Sequence, residues 1–203
     1  PKPHRRYIAG KPQGASRLIS PSRTMFTMNK ETYKKMTGFL HSHPTQAKIV
    51  ITTNKIITYA IYLAYPCLLL WLVFHNGAAT LLEGRIDPLL SKAILVPAVS
   101  FIAVSLLRAL LNAPRPYEVF ALPPVIAKDT KGKSFPSRHA FSIFVIGVTF
   151  LAACPLPLVG WLILALGVCL AVVRVLAGVH FPRDVAAGAL LGIACGCLGF
   201  WIV

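Results

Sequence analysis

Apolar residues run along this chain in long blocks rather than in short alternating patterns. The blocks extend from about Ile56 to Phe74, Ala93 to Leu111, Ser137 to Ala153, Leu158 to Leu176, and from Pro182 through Gly188, Gly192, Gly196 and Gly199. Each is about as long as a helix needs to be to cross a bilayer core. The link His75 to Lys92 is polar and holds Glu83, Arg85 and Asp87, Pro155 and Pro157 make a tight turn, and GVHFPRD (178–184) joins the last two blocks. The remaining break, residues 112–136, is long and carries five prolines. Structureless loops of that length are usually either functional or disordered.

Upstream of the blocks, the stretch ETYKKMTGFLHS (31–42) places Tyr33, Met36, Phe39 and Leu40 on one side of a helix, with Lys34 and Lys35 beside them. It reads either as a short helix lying on the membrane surface or as a solvated linker. Residues 1–30 form a basic tail rich in Arg, Lys, Pro and Gly, expected to be disordered, with Met25 and Met28 as alternative starts and no cleavable signal peptide. The expected fold is therefore all-α: a polytopic membrane bundle of about five transmembrane helices plus a short N-terminal interfacial helix, with the tail over 1–30 and the membrane domain over 31–203.

Composition agrees with a membrane frame. The chain is 56% hydrophobic and only 13% charged, with mean hydropathy +0.67. A formal net charge of +15 would point to nucleic acid in a soluble protein, but here the basic residues flank apolar spans. Anionic lipid headgroups and membrane orientation explain them better, and no nucleic-acid partner is expected. Nearly all Lys and Arg fall on one face of the bundle, Arg85 and Lys92 being the exceptions. The positive-inside rule then places that face and the N-terminus in the cytoplasm. The five cysteines lie in or beside apolar segments and read as small fillers. Gly188, Gly192 and Gly196 recur every fourth residue, a spacing that suits close helix packing within one chain or between chains in an oligomer.

Polar residues interrupt the apolar blocks in three places: Arg108 with Arg115, the basic turn KGKSFPSRHAF (131–141), and Arg174 with His180 and Asp184. Ionisable residues at span ends of this kind need a polar site or the interface. Pro136 and Ser137 stand where a helix begins, so unpaired backbone N–H groups face any anion there. Arginines match phosphate oxygens, one histidine can attack phosphorus, and another can protonate a leaving oxygen. A carboxylate four residues beyond a histidine can orient the attacking ring. Lys131 and Lys133 fit such a site and fit equally a basic loop against lipid headgroups. No histidine spacing resembles a metal-ligand set.

These three stretches resemble the motifs of the type 2 phosphatidic acid phosphatase (lipid phosphate phosphatase) superfamily, which is related to vanadium haloperoxidases. RALLNAPRP (108–116) is similar to K-x6-R-P with Arg for Lys, PSRH (136–139) to P-S-G-H with Arg138 for Gly, and VRVLAGVHFPRD (173–184) to S-R-x5-H-x3-D with Val173 for Ser. The resemblance implies that His180 is the nucleophile, Asp184 orients it and His139 is the general acid. It implies that Arg108, Arg115 and Arg174 hold the phosphate, with Ser137 and the backbone N–H of Arg138 adding hydrogen bonds. It implies further that no metal and no cofactor take part. The implied function is an integral phosphatase, in a bacterial cell membrane, that hydrolyses a lipid phosphate or diphosphate such as phosphatidate, phosphatidylglycerol phosphate or a polyprenyl diphosphate (undecaprenyl diphosphate among them). A lipid phosphotransferase, or a phosphatase of a soluble ester on the same fold, is the alternative. The family commonly places three spans before its second motif. This chain has two, so its site is expected on the opposite face from that of six-span members whose site opens outward.

Overall fold

The computed structural model describes residues 28–77, 80, 84–85, 87–128 and 130–202. The tail expected over 1–30 therefore lies outside the described residues, apart from its last three. Among the described residues seven α-helices follow one another: α1 (Lys30–Ser42), α2 (Pro44–Leu72), α3 (Pro88–Leu111), α4 (Pro116–Phe120), α5 (Arg138–Ala153), α6 (Pro157–Leu176) and α7 (Pro182–Cys197). Single π-helical turns, Val73–Gly77 and Leu198–Ile202, extend α2 and α7. Among the described residues there is no strand. The protein is an all-α polytopic membrane bundle.

Local chemistry sets most of the helix starts. The Asn29 side chain accepts from Thr32 N at 2.7 Å at the head of α1, and Asp87 accepts from Leu90 N at 2.7 Å at the head of α3. Proline occupies the first turn of α2, α3, α4, α6 and α7, where its missing N–H costs nothing. α3 stops at Asn112, which is left-handed (φ 38°) and returns its N–H to the Arg108 carbonyl.

Two boundaries differ from the hydrophobic pattern. α2 begins at Pro44, ahead of the apolar block that starts near Ile56. Its 29 residues make a rod of about 43 Å, longer than a hydrocarbon core of about 30 Å. Its polar first turns thus project beyond the apolar layer and carry Asn54 with them. The long loop, in turn, is interrupted by the short helix α4.

Among the described residues four helical stretches are long and apolar enough to cross a membrane: Pro44–His75, Pro88–Phe120, Pro157–Leu176 and Pro182–Ile202. α5 has 16 residues and is the most enclosed, with Phe141, Val145 and Thr149 fully buried and α3, α6 and α7 as its main neighbours. The outer helices present Leu63, Leu110, Leu158 and Leu190 outward, as a lipid-facing surface does.

α7 lies so close to α5 that side chains are excluded from the contact. A Cβ at Gly188 would stand 2.5 Å from the Ser137 carbonyl oxygen, and one at Gly192 would stand 2.6 Å from that of Phe141. The small-residue stripe thus lets two backbones touch. At the head of this contact Ser137 N donates to Asp184 O at 2.8 Å.

α1 is helical over the expected stretch, but the face it buries is different. Tyr33, Thr37 and Leu40 are buried, while Phe39 is exposed. Tyr33 packs its ring against Phe120 (centroids 5.2 Å apart) and donates its hydroxyl to the Gly178 carbonyl at 3.2 Å. α1 is therefore seated on the α6–α7 link, not merely on a surface.

The Gly192→Ala variant must displace backbone and is expected to lose about 1–3 kcal/mol of stability. Gly38→Ala, with nothing within 4 Å of the added methyl, is expected to gain about 0.5–1 kcal/mol instead. Thermal unfolding of both variants in detergent compares the two outcomes.

Candidate active site

The three polar stretches meet at one end of the bundle. Arg108, in the last turn of α3, is buried and donates through both Nη atoms to the carbonyls of Pro136 and Lys133. It pins the segment that leads into α5. Arg115 donates from Nε to Gly132 O at 3.0 Å and from Nη1 to Val179 O at 3.3 Å, so it ties that segment to the α6–α7 link. Glu118 of α4 closes the corner, with Oε2 accepting from Arg115 N at 2.8 Å and from Gly132 N at 2.9 Å. Glycine suits position 132: φ is +64°, and a Cβ would stand 2.2 Å from Asn112 Oδ1, so that side chain would have to move.

His180 sits on the link just before α7 and is 1% exposed. Its Nδ1 lies 3.6 Å from Asp184 Oδ2 on the first turn of α7. The same oxygen accepts from Phe181 N at 3.0 Å and from Ser134 Oγ at 2.5 Å. Burial pushes the His180 imidazole down to about 4; the neighbouring Asp184 carboxylate opposes this, and Arg174 and Arg115 reinforce it. The ring is therefore neutral at pH 7.

His139, in the first turn of α5, accepts at Nδ1 from Arg174 Nη2 at 3.3 Å. Arg174 Nη1 donates to Asn54 Oδ1 on α2 at 3.2 Å. Arg174 Nε and Ser137 Oγ are buried without a hydrogen-bond partner. Two donors left open inside a cationic cluster are the arrangement an oxyanion would complete.

Of the residues expected from sequence, Arg108, Arg115, Ser137, His139, Arg174, His180 and Asp184 are brought together. Arg138 is exposed, with its guanidinium over the Phe101 ring at 5.6 Å. Lys131 and Lys133 are both exposed. The loop lysine drawn into the cluster is instead Lys128, half-buried and pushed down to about 8 by burial and then by Arg174, Arg115, Arg138 and Arg108. Asn54, Glu118, Lys128 and Ser134 were not singled out by sequence reasoning. None stands in a motif; Ser134, two residues ahead of PSRH, had the nearest signal. Among the described residues no group of three or more His, Cys, Asp or Glu side chains gathers into a metal-ligand set.

Comparison with known proteins bears on this site. A family model described as the PAP2 superfamily matches residues 89–203, which include all three polar stretches. The bacitracin transport permease protein BcrC of Bacillus licheniformis is 41% identical over 88 residues, and the match spans 42% of this chain and 42% of that relative. Among solved structures, Aquifex aeolicus LpxE superposes with a TM-score of 0.61 at 23% identity, covering 86% of this chain and 96% of its own. That likeness is one of fold. A PAP2-type phosphatidylglycerolphosphate phosphatase from Bacillus subtilis gives a TM-score of 0.46 at 21% identity, over 82% of this chain and 90% of that one.

The depressed His180 value has a thermodynamic consequence. As pH falls below about 6.5 the unfolded chain takes up a proton that the folded site refuses until about 4. The stability this group contributes is present above about 6.5 and is lost on the way down to 4. Unfolding of wild type and His180→Gln, followed between pH 7 and 4, should show the steeper decline in the wild type.

Proposed function

The chain belongs to the PAP2 superfamily, and on that premise we propose that it is a phosphatase acting on a lipid phosphate or lipid diphosphate through a phosphohistidine at His180. The observation that carries this reading is the placement of a buried, neutral His180 beside Asp184, at the same end of the bundle as His139 and the unfilled donors of Arg174 and Ser137.

In the first step the Nε2 lone pair of His180 attacks phosphorus, the bond from phosphorus to the lipid oxygen breaks, and His139 gives that oxygen a proton. The phosphorylated ring is cationic, and Asp184 at its Nδ1 side stabilises it. In the second step water attacks phosphorus, the P–N bond breaks, and the water's proton passes to His139. Arg174, Arg115 and Ser137 stabilise the charge on the phosphoryl oxygens, joined by Lys128 and, with motion away from their carbonyls, by the Nη groups of Arg108. With Arg174 donating to it, His139 Nδ1 must accept, so the resting ring is neutral. A phosphate that draws Arg174 toward itself frees Nδ1 for protonation and so arms the acid.

A lipid substrate is favoured over a soluble ester by the space behind His139. A recess lined by Tyr62, His139, Ser142 and Ile146 shares Tyr62, Ser142 and Ile146 with an apolar cleft of about 570 Å³ between α2, α3 and α5, bounded by Pro66, Pro97 and Phe101. An acyl or prenyl tail fits there while the headgroup meets the cations. A phosphotransferase on the same site would reveal itself by passing phosphate to an added acceptor alcohol. The basic flanks of the spans support a cytoplasmic site in a bacterial cell membrane.

His180→Ala is expected to lower phosphate release from lipid phosphates by at least about a thousandfold and to abolish acid-labile phosphoenzyme in a rapid quench, whereas wild-type turnover persists in a chelator. Undiminished release by His180→Ala would rule the mechanism out. In a background free of native cysteines, Arg85→Cys is expected to react with an impermeant thiol reagent only from outside the cell.

A further inference from the structure

The link between Asp184 and His180 carries a third partner. Ser134 is wholly buried, and its hydroxyl stands closer to the carboxylate than the imidazole does. Ser134 Oγ is 2.5 Å from Asp184 Oδ2 and 3.5 Å from His180 Nδ1, while the ring and the carboxylate are 3.6 Å apart. A serine hydroxyl both donates and accepts, so one Oγ can accept from Nδ1–H and donate to the carboxylate at once. Its backbone is held independently: Ser134 N donates to Ala113 O at 2.8 Å, and the neighbouring Lys133 carbonyl accepts from Arg108. The hydroxyl is thus fixed in place by contacts outside the pair.

We infer that Ser134 is a positioning residue that bridges His180 to Asp184, fixing the ring's Nδ1–H tautomer and passing the carboxylate's charge to the nucleophile. Without the hydroxyl, a gap at the limit of hydrogen bonding separates ring from carboxylate, and the tautomer that exposes the Nε2 lone pair loses its anchor. The effect on turnover rests on the phosphohistidine reading above; the hydrogen-bonding claim does not.

Ser134→Ala is expected to reduce kcat about 10- to 100-fold with KM changed less than about twofold, as loss of a hydrogen bond to a charged group predicts. In an Asp184→Asn background the same substitution should cost less than about threefold, because the serine acts through the carboxylate. Multiplicative losses in the double variant, or a loss confined to KM, would overturn the assignment. The ¹H NMR signal of the His180 Nδ1 proton, identified by its absence in His180→Gln, gives a reading independent of activity. It should be downfield in folded wild type and shifted or lost in Ser134→Ala whose melting temperature is retained; an unchanged signal would also overturn the bridge. If wild type hydrolyses no lipid phosphate but the NMR difference appears, the functional reading fails and the bridge stands.

Discussion

The contact between α5 and α7 is the constraint from which the site follows. A bilayer offers little hydrophobic drive for helix pairing, so close packing must supply it. Glycines at 188 and 192 remove the side chains that would hold the two axes apart, and the backbones meet. One turn further along, the same closeness becomes a hydrogen bond from Ser137 N to Asp184 O. A slightly wider pair would leave the PSRH turn and the His180–Asp184 pair on separate helices with a gap between them.

Around that junction the arginines have two occupations. Arg108 and Arg115 hold carbonyls of the 132–136 segment and of the link, which fixes the polypeptide around the cavity. Arg174 holds Asn54 and His139, and keeps one donor unused. So many buried cations repel one another, and the carboxylate nearest the histidine cannot offset them all. On the function proposed above, an entering oxyanion relieves that repulsion, and the way the scaffold is held would itself favour the phosphate.

Much of this was legible in the sequence because membrane spans and short motifs are local signals. The blocks beginning near Ser137, Leu158 and Pro182 become helices that start within a residue of those points, that of Ala93 reaches back to Pro88, and the glycines at every fourth position, whose spacing suited packing within or between chains, meet α5. The start of α2 was hidden because its first turns are polar: hydropathy marks where lipid begins, not where a helix does. Asn54, Glu118, Lys128 and Ser134 were hidden for a different reason. Apart from the local bond of Glu118 with Arg115 N, the side chains of Asn54, Glu118 and Ser134 meet partners between 14 and 120 residues away, and no local pattern encodes such a meeting. Lys131 and Lys133 drew attention in the loop and Lys128 did not; the fold half-buries Lys128 and leaves the other two exposed.

The seat of α1 sets an order on biogenesis. Tyr33 closes onto a carbonyl 145 positions downstream, on a link that exists only after α6 has been made. At about 5–20 residues per second, that partner leaves the ribosome roughly 7–30 s after the helix that needs it. During this interval α1 has the start of α2 and the lipid headgroups to lean on, and its lysines suit such a wait. Of the helices described, α1 is made ahead of the others and is thus among the last to reach its final place.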